Sequence, residues 1–372
     1  MRPSGLAILA FATLVAVGPA RATDSTVKIG ACLSLTGPAA LYGTQQKAGI
    51  LAAIDEVNRG GGLPGVKLEA VIEDDGSTKE QGIAVYQRLI GRDRVSAIIG
   101  PTLSNTATAV DPLAQAARVP VVAISNTAPR GITDIGNYIF RVSLTEGQVI
   151  PAALKRAQAR LHFGTAGVLY GNDDAFTQAG FGVMKGALEA MGVRIVGTQT
   201  FAKPDRDYNA QLTALIALKP DILVVSALVE NAAGIVTQAR QLGWQGPILG
   251  GNGFNSAALV RNAGPAAEGV LVGTSWNRAS PDPANQAFLK LMAARGVEPD
   301  QFCAQAYTGV LVVARAIAGS GGKGGREDIR AGLSKVKDLD TPLGRFSFLE
   351  NRDGSHEPAL QEVRGGRFQI AP

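Results

Sequence analysis

The chain reads as an α/β protein of two lobes, each a doubly wound parallel sheet. Three observations predict it. Short apolar runs alternate with segments whose apolar residues recur at helical spacing, the pattern of a parallel sheet covered by helices on both faces. The same pattern restarts after about residue 145. The 372 residues, 46% hydrophobic and 18% charged, can bury large cores but are too many for one compact α/β unit.

In the first half, "VKIGACLSL" is a buried strand and Tyr42 to Asn58 a helix. "GGGLPG" breaks that helix, and "VKLEAVIEDD" is the second strand. Thr78 to Gly91 reads as a helix, Val95 to Gly100 as a strand and Ser104 to Ala117 as a helix. "VPVVAIS" is the fourth strand. In the second half, "TAGVLYG", "VRIVGTQTF", "DILVVSAL", "GPILGGN" and "GVLVGTSW" are strands. Helices are expected between them at Phe176–Met191, Asp207–Leu218 and Glu230–Leu242. The tail has helical stretches near 284–295, 301–318 and 326–336. It ends in "RFSFLENRDGSHEPALQEVRGGRFQI", a hairpin pattern with turns at Asn351–Gly354 and Gly365-Gly366. The tail helices must pack on the existing sheets.

The first residues carry Arg2, an apolar run from Leu6 to Val17 and Ala20-Arg21-Ala22, the layout of a secretory leader cleaved after Ala22. That run is too short to span a bilayer, and no later stretch is expected to be long and apolar enough for a transmembrane helix. No cysteine follows the cleavage site, so no lipid anchor is expected. The mature protein is expected to be exported and soluble. Losing Arg2 and Arg21 reduces the formal charge of +5 to a mild excess. With 5% aromatics and no Lys/Arg run, nucleic acid is not an expected partner. Cys32 lies in an apolar strand and Cys303 in a distant helical stretch, so they are read as two buried free thiols.

Ligands of open parallel sheets bind beyond the carboxyl ends of the strands. The segments there are "LSLTGPAALYG", "GPTLSNT", "SNTAP", "YGNDDAF", "SALVEN" and "GGNGFN", mostly small and hydrogen-bonding. In "IIGPTLSNTATAV" an apolar strand ends in small hydroxyls and amides where a helix begins. Ser104 there is an N-cap, an anion ligand, or both: free helix N–H groups and the helix dipole favour a carboxylate or phosphate. Asp173 and Asp174 end a strand that should face the cleft. Asp74 and Asp75 read as a solvated strand end or cap. His162 and His356 read as surface residues. No Ser sits in G-x-S-x-G and no Cys/His set has metal spacing, so neither a catalytic residue nor a metal or cofactor is expected. "GSGGKGG" follows a helix, not a strand, and reads as a loop. A nucleotide-dependent oxidoreductase would need G-x-G-x-x-G after the first strand, where "LSLTGP" stands.

The order of "TGPAALYG", "VNRGGG", "EDDGS", "IIGP", "NDDAF" and "AEGVLV" resembles the leucine/isoleucine/valine-binding protein family, the exported receptors of branched-chain amino-acid ABC transporters. The resemblance covers essentially the whole mature chain. It implies a type I periplasmic binding fold, with two lobes joined by a three-strand hinge and the ligand enclosed between them. Crossovers are expected near 142–145, 274–278 and 342–346. Lobe 1 would then comprise 23–143 plus 277–343, and lobe 2 would comprise 144–276 plus 344–372.

The resemblance also assigns residues. The carboxylate-binding hydroxyl falls on Ser104, with the Thr127 N–H beside it. The carbonyl and hydroxyl for the ligand's amino group fall on Ser125 and Thr127, and the aromatic after the first strand on Tyr42. Asn105 and Asn126 neighbour these positions. In the second lobe the chain departs from the family. Asn252 stands where the amino-acid receptors carry an acid, and family tyrosines fall near Leu228 and on Phe176. Phe176, Leu228 and Phe302 would make an apolar side-chain pocket. Asp173 or Glu230 is a candidate replacement acid. The implied ligand is a small carboxylate, a branched-chain or related amino acid, with an aromatic acid or short amide as the alternative. The implied partner is a membrane permease, with the protein periplasmic and monomeric. A receptor serving a membrane kinase stays open.

Overall fold

A computed structural model describes residues 25–60 and 62–371. The expected leader lies outside the described residues.

The first lobe opens with β1 (Ser25–Leu33), α1 (Ala40–Arg59), β2 (Val66–Asp74), α2 (Lys79–Gln87), β3 (Ala97–Ile99), α3 (Ser104–Ala116), β4 (Val121–Ala123) and β5 (Ile139–Arg141). Its five strands are parallel in the order β2-β1-β3-β4-β5. The second lobe follows with α4 (Glu146–Leu161), β6 (Thr165–Gly171), α5 (Ala175–Ala190), β7 (Arg194–Phe201), α6 (Asn209–Ala217), β8 (Ile222–Ser226), α7 (Val229–Gln241), β9 (Ile248–Gly250), α8 (Ala257–Ala263) and β10 (Val270–Thr274). The tail supplies α9 (Pro283–Ala294), α10 (Gln301–Gly319), α11 (Arg326–Leu333), β11 (Leu339–Thr341), β12 (Gly344–Phe348), β13 (Gly354–Ser355), β14 (Ala359–Arg364) and β15 (Arg367–Ile370). The second sheet has seven strands in the order β15-β14-β10-β9-β8-β6-β7. Its β14 and β15 are antiparallel additions at one edge.

The strands are apolar on both faces because helices cover both. One core packs β1, α1 and α10 around Ile29, Ile50, Cys303 and Val310, and a second cluster lies on the other face around Val85, Leu89, Ile98 and Val110. Both cysteines are buried and unpaired. α10 corrects one expectation: it is long and apolar enough to cross a membrane, but it is a core helix packed against α1 and α11.

The tail also corrects a boundary. β12 does not join the second sheet. It pairs with β11 and β13, and Phe346 and Phe348 pack with Phe140, Val142 and Trp276 in the first lobe's core. The third crossover therefore runs between β13 and β14, through 356–358, and not near 342–346. The expected single hairpin is two: β12–β13 on the first lobe and β14–β15, turning at Gly365-Gly366, on the second. His356 lies in that crossover with its ring nitrogens buried beneath Phe346, not on the surface, and burial lowers its pKa to about 4. Arg141, at the end of β5, is buried and pairs with Asp353 at 2.7 Å, and it donates to the carbonyls of Asn126 and Ala128.

Candidate functional site

Each parallel sheet has a switch point where adjacent strands send their connections to opposite faces. In the first lobe it lies between β1 and β3, and in the second between β6 and β8. The loops after these four strands face one another across the gap between the lobes. A narrow cleft lies there, lined by Tyr42, Thr102, Leu103, Ser104, Ser125, Thr127 and Phe302 from the first lobe, and by Phe176, Leu228, Asn252 and Gly253 from the second.

Local chemistry holds the first lobe's loops. Asp74 accepts the N–H groups of Leu35, Thr36 and Gly76 and the Thr36 hydroxyl. Asp75 accepts Ser34 Oγ at 2.7 Å and the Ser77 N–H at 2.8 Å. These acids fix the loop that leads into Tyr42. Gln46, from α1, donates to the Ser125 hydroxyl and accepts the Thr102 hydroxyl. Ser125 in turn donates to the Thr102 carbonyl. The Ser125 hydroxyl is thus committed, which leaves its main-chain carbonyl for other use.

Ser104 is different. Leu103 occupies the N-cap position of α3, and no side chain caps the helix. Ser104 Oγ is buried without a hydrogen-bond partner, on the wall of the cleft. The first-turn N–H groups of this helix point the same way and have no intrahelical acceptors. The capping alternative for Ser104 is therefore absent from the structure.

Eight expected residues surround the cleft: Tyr42, Ser104, Ser125, Thr127, Phe176, Leu228, Asn252 and Phe302. Three do not. Asn105 reaches across the lobes, donating to Asp174 Oδ2 at 2.9 Å and accepting the Ala175 N–H at 3.0 Å. It completes the N-terminus of α5, where Asp174 is the cap. Asn126 is buried behind the cleft, its carbonyl held by Arg141. Asp173 is exposed and accepts the Lys203 N–H, because the turn after β6 sends Asp174 inward and Asp173 outward. Glu230, the other candidate acid, pairs with Arg206 at 3.6 Å on the outer side.

Sequence reasoning missed Glu146. It is the first residue of α4, and its side chain turns inward. Its Oε1 accepts Thr127 Oγ1 at 3.2 Å, the Asn252 N–H at 3.2 Å and Asn252 Nδ2 at 3.1 Å. Its Oε2 has no partner among the described residues. Burial pushes its pKa up to about 7, only partly offset by the bonds from Asn252 and Thr127. A glutamate just after Thr145, which caps α4, reads locally as a charge complementing the helix dipole, so no nearby residue signalled its direction.

A family model described as "Periplasmic binding protein" matches residues 26–367. The chain belongs to the periplasmic binding protein family. This periplasmic binding protein is 29% identical over 333 residues to the leucine-, isoleucine-, valine-, threonine- and alanine-binding protein of Pseudomonas aeruginosa, covering 88% of this chain and 87% of that one. It is 27% identical to a Leu/Ile/Val-binding protein of Rhizobium johnstonii, covering 97% of this chain and 98% of that one. Among solved structures, the branched-chain amino acid transporter substrate-binding protein of Streptococcus pneumoniae in complex with isoleucine superposes with a TM-score of 0.86 at 28% identity, covering 93% of this chain and 99% of that one. A leucine-binding protein of Thermotoga maritima gives 0.87 at 26%, covering 93% and 98%.

Proposed function

We propose that the protein is the exported receptor of an ABC importer and that it closes around a small carboxylate, a branched-chain or related amino acid. The observation that carries this reading is Ser104 Oγ, buried and unpartnered at the N-terminus of a thirteen-residue helix, inside a cleft between two lobes. A carboxylate there receives the hydroxyl and the first-turn amides, and the enclosed, low-dielectric setting strengthens both. Phe176, Leu228, Phe302 and Tyr42 supply apolar walls for an aliphatic side chain. The leucine- and isoleucine-binding relatives support the same ligand class. Hinge motion at the three crossovers opens the cleft, and the closed form is the state a permease recognises.

The apolar walls also favour a second reading, an aromatic carboxylate in the same seat. A thermal-shift panel of amino acids, amides and aromatic acids separates the two. A ligand at a hundred times its Kd adds about 2.7 kcal/mol of stability. Leucine, isoleucine or valine should shift the midpoint. If only aromatic acids do, the second reading replaces the first.

A further inference from the structure

We propose that Glu146 is the counter-ion for a ligand ammonium group, so that the cleft selects zwitterionic α-amino acids over simple carboxylates. The inference rests on the reading of the cleft given above and names its ligand class.

Asn252 cannot fill that role. Its Oδ1 accepts Ser275 Oγ at 3.0 Å and Gln301 Nε2 at 3.0 Å, and its Nδ2 is given to Glu146. Its Oδ1 is therefore filled by two donors and one Nδ2 proton is held by Glu146, which locks the amide's orientation and leaves no free acceptor for an ammonium. That orientation aims two donors, the Asn252 N–H and Nδ2, at Glu146 Oε1. Thr127 gives its hydroxyl proton to the same oxygen, so the Thr127 lone pairs stay available to an N–H donor. Thr127 and Asn252 both line the cleft, so the carboxylate stands directly behind its wall.

Oε2 is the free acceptor. It lies 2.4 Å from where a side chain at Gly251 would begin, so only glycine there admits the carboxylate. Three donors hold one oxygen and none holds the other, which leaves a buried site suited to a cation. The groups facing Glu146 are Thr127 from the loop after β4, and Gly251 and Asn252 from the loop after β9, none of them titratable. No charged neighbour contributes to its raised pKa, so its own ionisation sets the charge of this end of the cleft.

The ionised form is the one an ammonium needs. Below the pKa of about 7 the carboxyl is protonated, and binding an ammonium must expel that proton. Affinity for an amino acid should therefore fall about tenfold per pH unit below that value and level off above it. A ligand without an amino group should show the reverse trend, because the ionised carboxylate offers it no donor and repels it.

The test is titration calorimetry with leucine and with 4-methylpentanoate, its counterpart lacking the amino group, at pH 5.5, 7 and 8.5. The unaltered protein should prefer leucine, with affinity rising with pH. Glu146→Gln keeps the side chain's size. It should weaken leucine at pH 8.5 by about ten- to a hundredfold, abolish the pH dependence and leave 4-methylpentanoate unharmed. Equal weakening of both ligands, or a leucine affinity flat from pH 5.5 to 8.5 in the unaltered protein, overturns the proposal. If 4-methylpentanoate binds the unaltered protein as well as leucine does, Glu146 is no counter-ion, while the carboxylate seat at Ser104 stands. If neither ligand binds, the reading of the cleft fails together with this one.

Discussion

The hydroxyl of Tyr42, on the first lobe, accepts the Val229 N–H, on the second, at 2.6 Å. It also donates to the Gly253 carbonyl at 2.8 Å. One phenol thus uses its donor and an acceptor lone pair across the gap, and its ring packs on Phe302 with centroids 4.3 Å apart. Both bonds bridge the two lobes, so hinge opening would break them. Tyr42→Phe keeps the ring and removes both. It should cost the closed form about 1–3 kcal/mol and weaken ligand binding about five- to a hundredfold, with urea unfolding of the ligand-free protein little changed. Titration calorimetry beside urea melts reads both, and unchanged affinity would mean that the bridge does not hold the lobes together.

Ser104→Ala separates grip from capping. With Leu103 at the N-cap position and no bond made by Ser104 Oγ, the substitution should leave the melting temperature within about a degree or two. Ligand affinity should fall by about 1.5–3 kcal/mol if the hydroxyl donates to a carboxylate. A large loss of stability with affinity intact would return Ser104 to a structural role.

Asp111 makes a stability prediction that is independent of the cleft. It is fully buried in α3, accepts Tyr86 Oη at 3.0 Å and has no cationic partner among the described residues, and burial pushes its pKa up to about 8. The unfolded value is near 4, so between about pH 4 and 8 the folded chain holds a proton that the unfolded chain has lost. Its contribution is therefore at its best below about pH 4 and falls as pH rises towards 8. Asp111→Asn removes the charge and should make the protein more stable than the unaltered chain at pH 8.5, by on the order of a few kcal/mol, and far less so at pH 5. Urea melts at the two pH values check this; the same difference at both would show that the carboxyl's ionisation is not the cause.

Arg141 and Asp353 pair at the hinge in near-complete burial. Arg141→Met strands the carboxylate and also takes the donor from the Asn126 and Ala128 carbonyls. It should cost about 3–5 kcal/mol, and Asp353→Asn added to it should restore part of that loss. Denaturant unfolding of the single and double variants measures the coupling; simple additivity would show that the two side chains act separately.

Much of this was legible in the sequence because buried parallel strands such as Ile222–Ser226 are continuous apolar runs bounded by turn residues. The residues after those strands were also legible, since topology alone sends Ser104, Phe176 and Leu228 to the same gap. Short strands escaped: β5 has three residues, too few for a period. The helix α4 escaped because Pro151, a helix-interior proline, and scattered polar residues blur its apolar stripe. Asp173 and Glu146 failed in opposite directions. In the Asp173-Asp174 pair, the alternation of direction along a tight turn decides which acid faces inward. For Glu146, the deciding contact is with Asn252, a residue remote in sequence. β12 went to the wrong lobe because a hairpin pattern does not say which sheet it serves.

The pairing of α1 with α10 has a consequence for biosynthesis. The helix that seals the first lobe's core is made long after the strands it covers. At roughly 5–20 residues per second, a ribosome needs on the order of tens of seconds to reach it. Until then the face of the sheet that α10 covers is open, and the second lobe is not finished before β14 and β15 emerge beyond the last crossover. The first lobe therefore cannot complete its core until α10 has been made, so its folding waits on the C-terminal part of the chain.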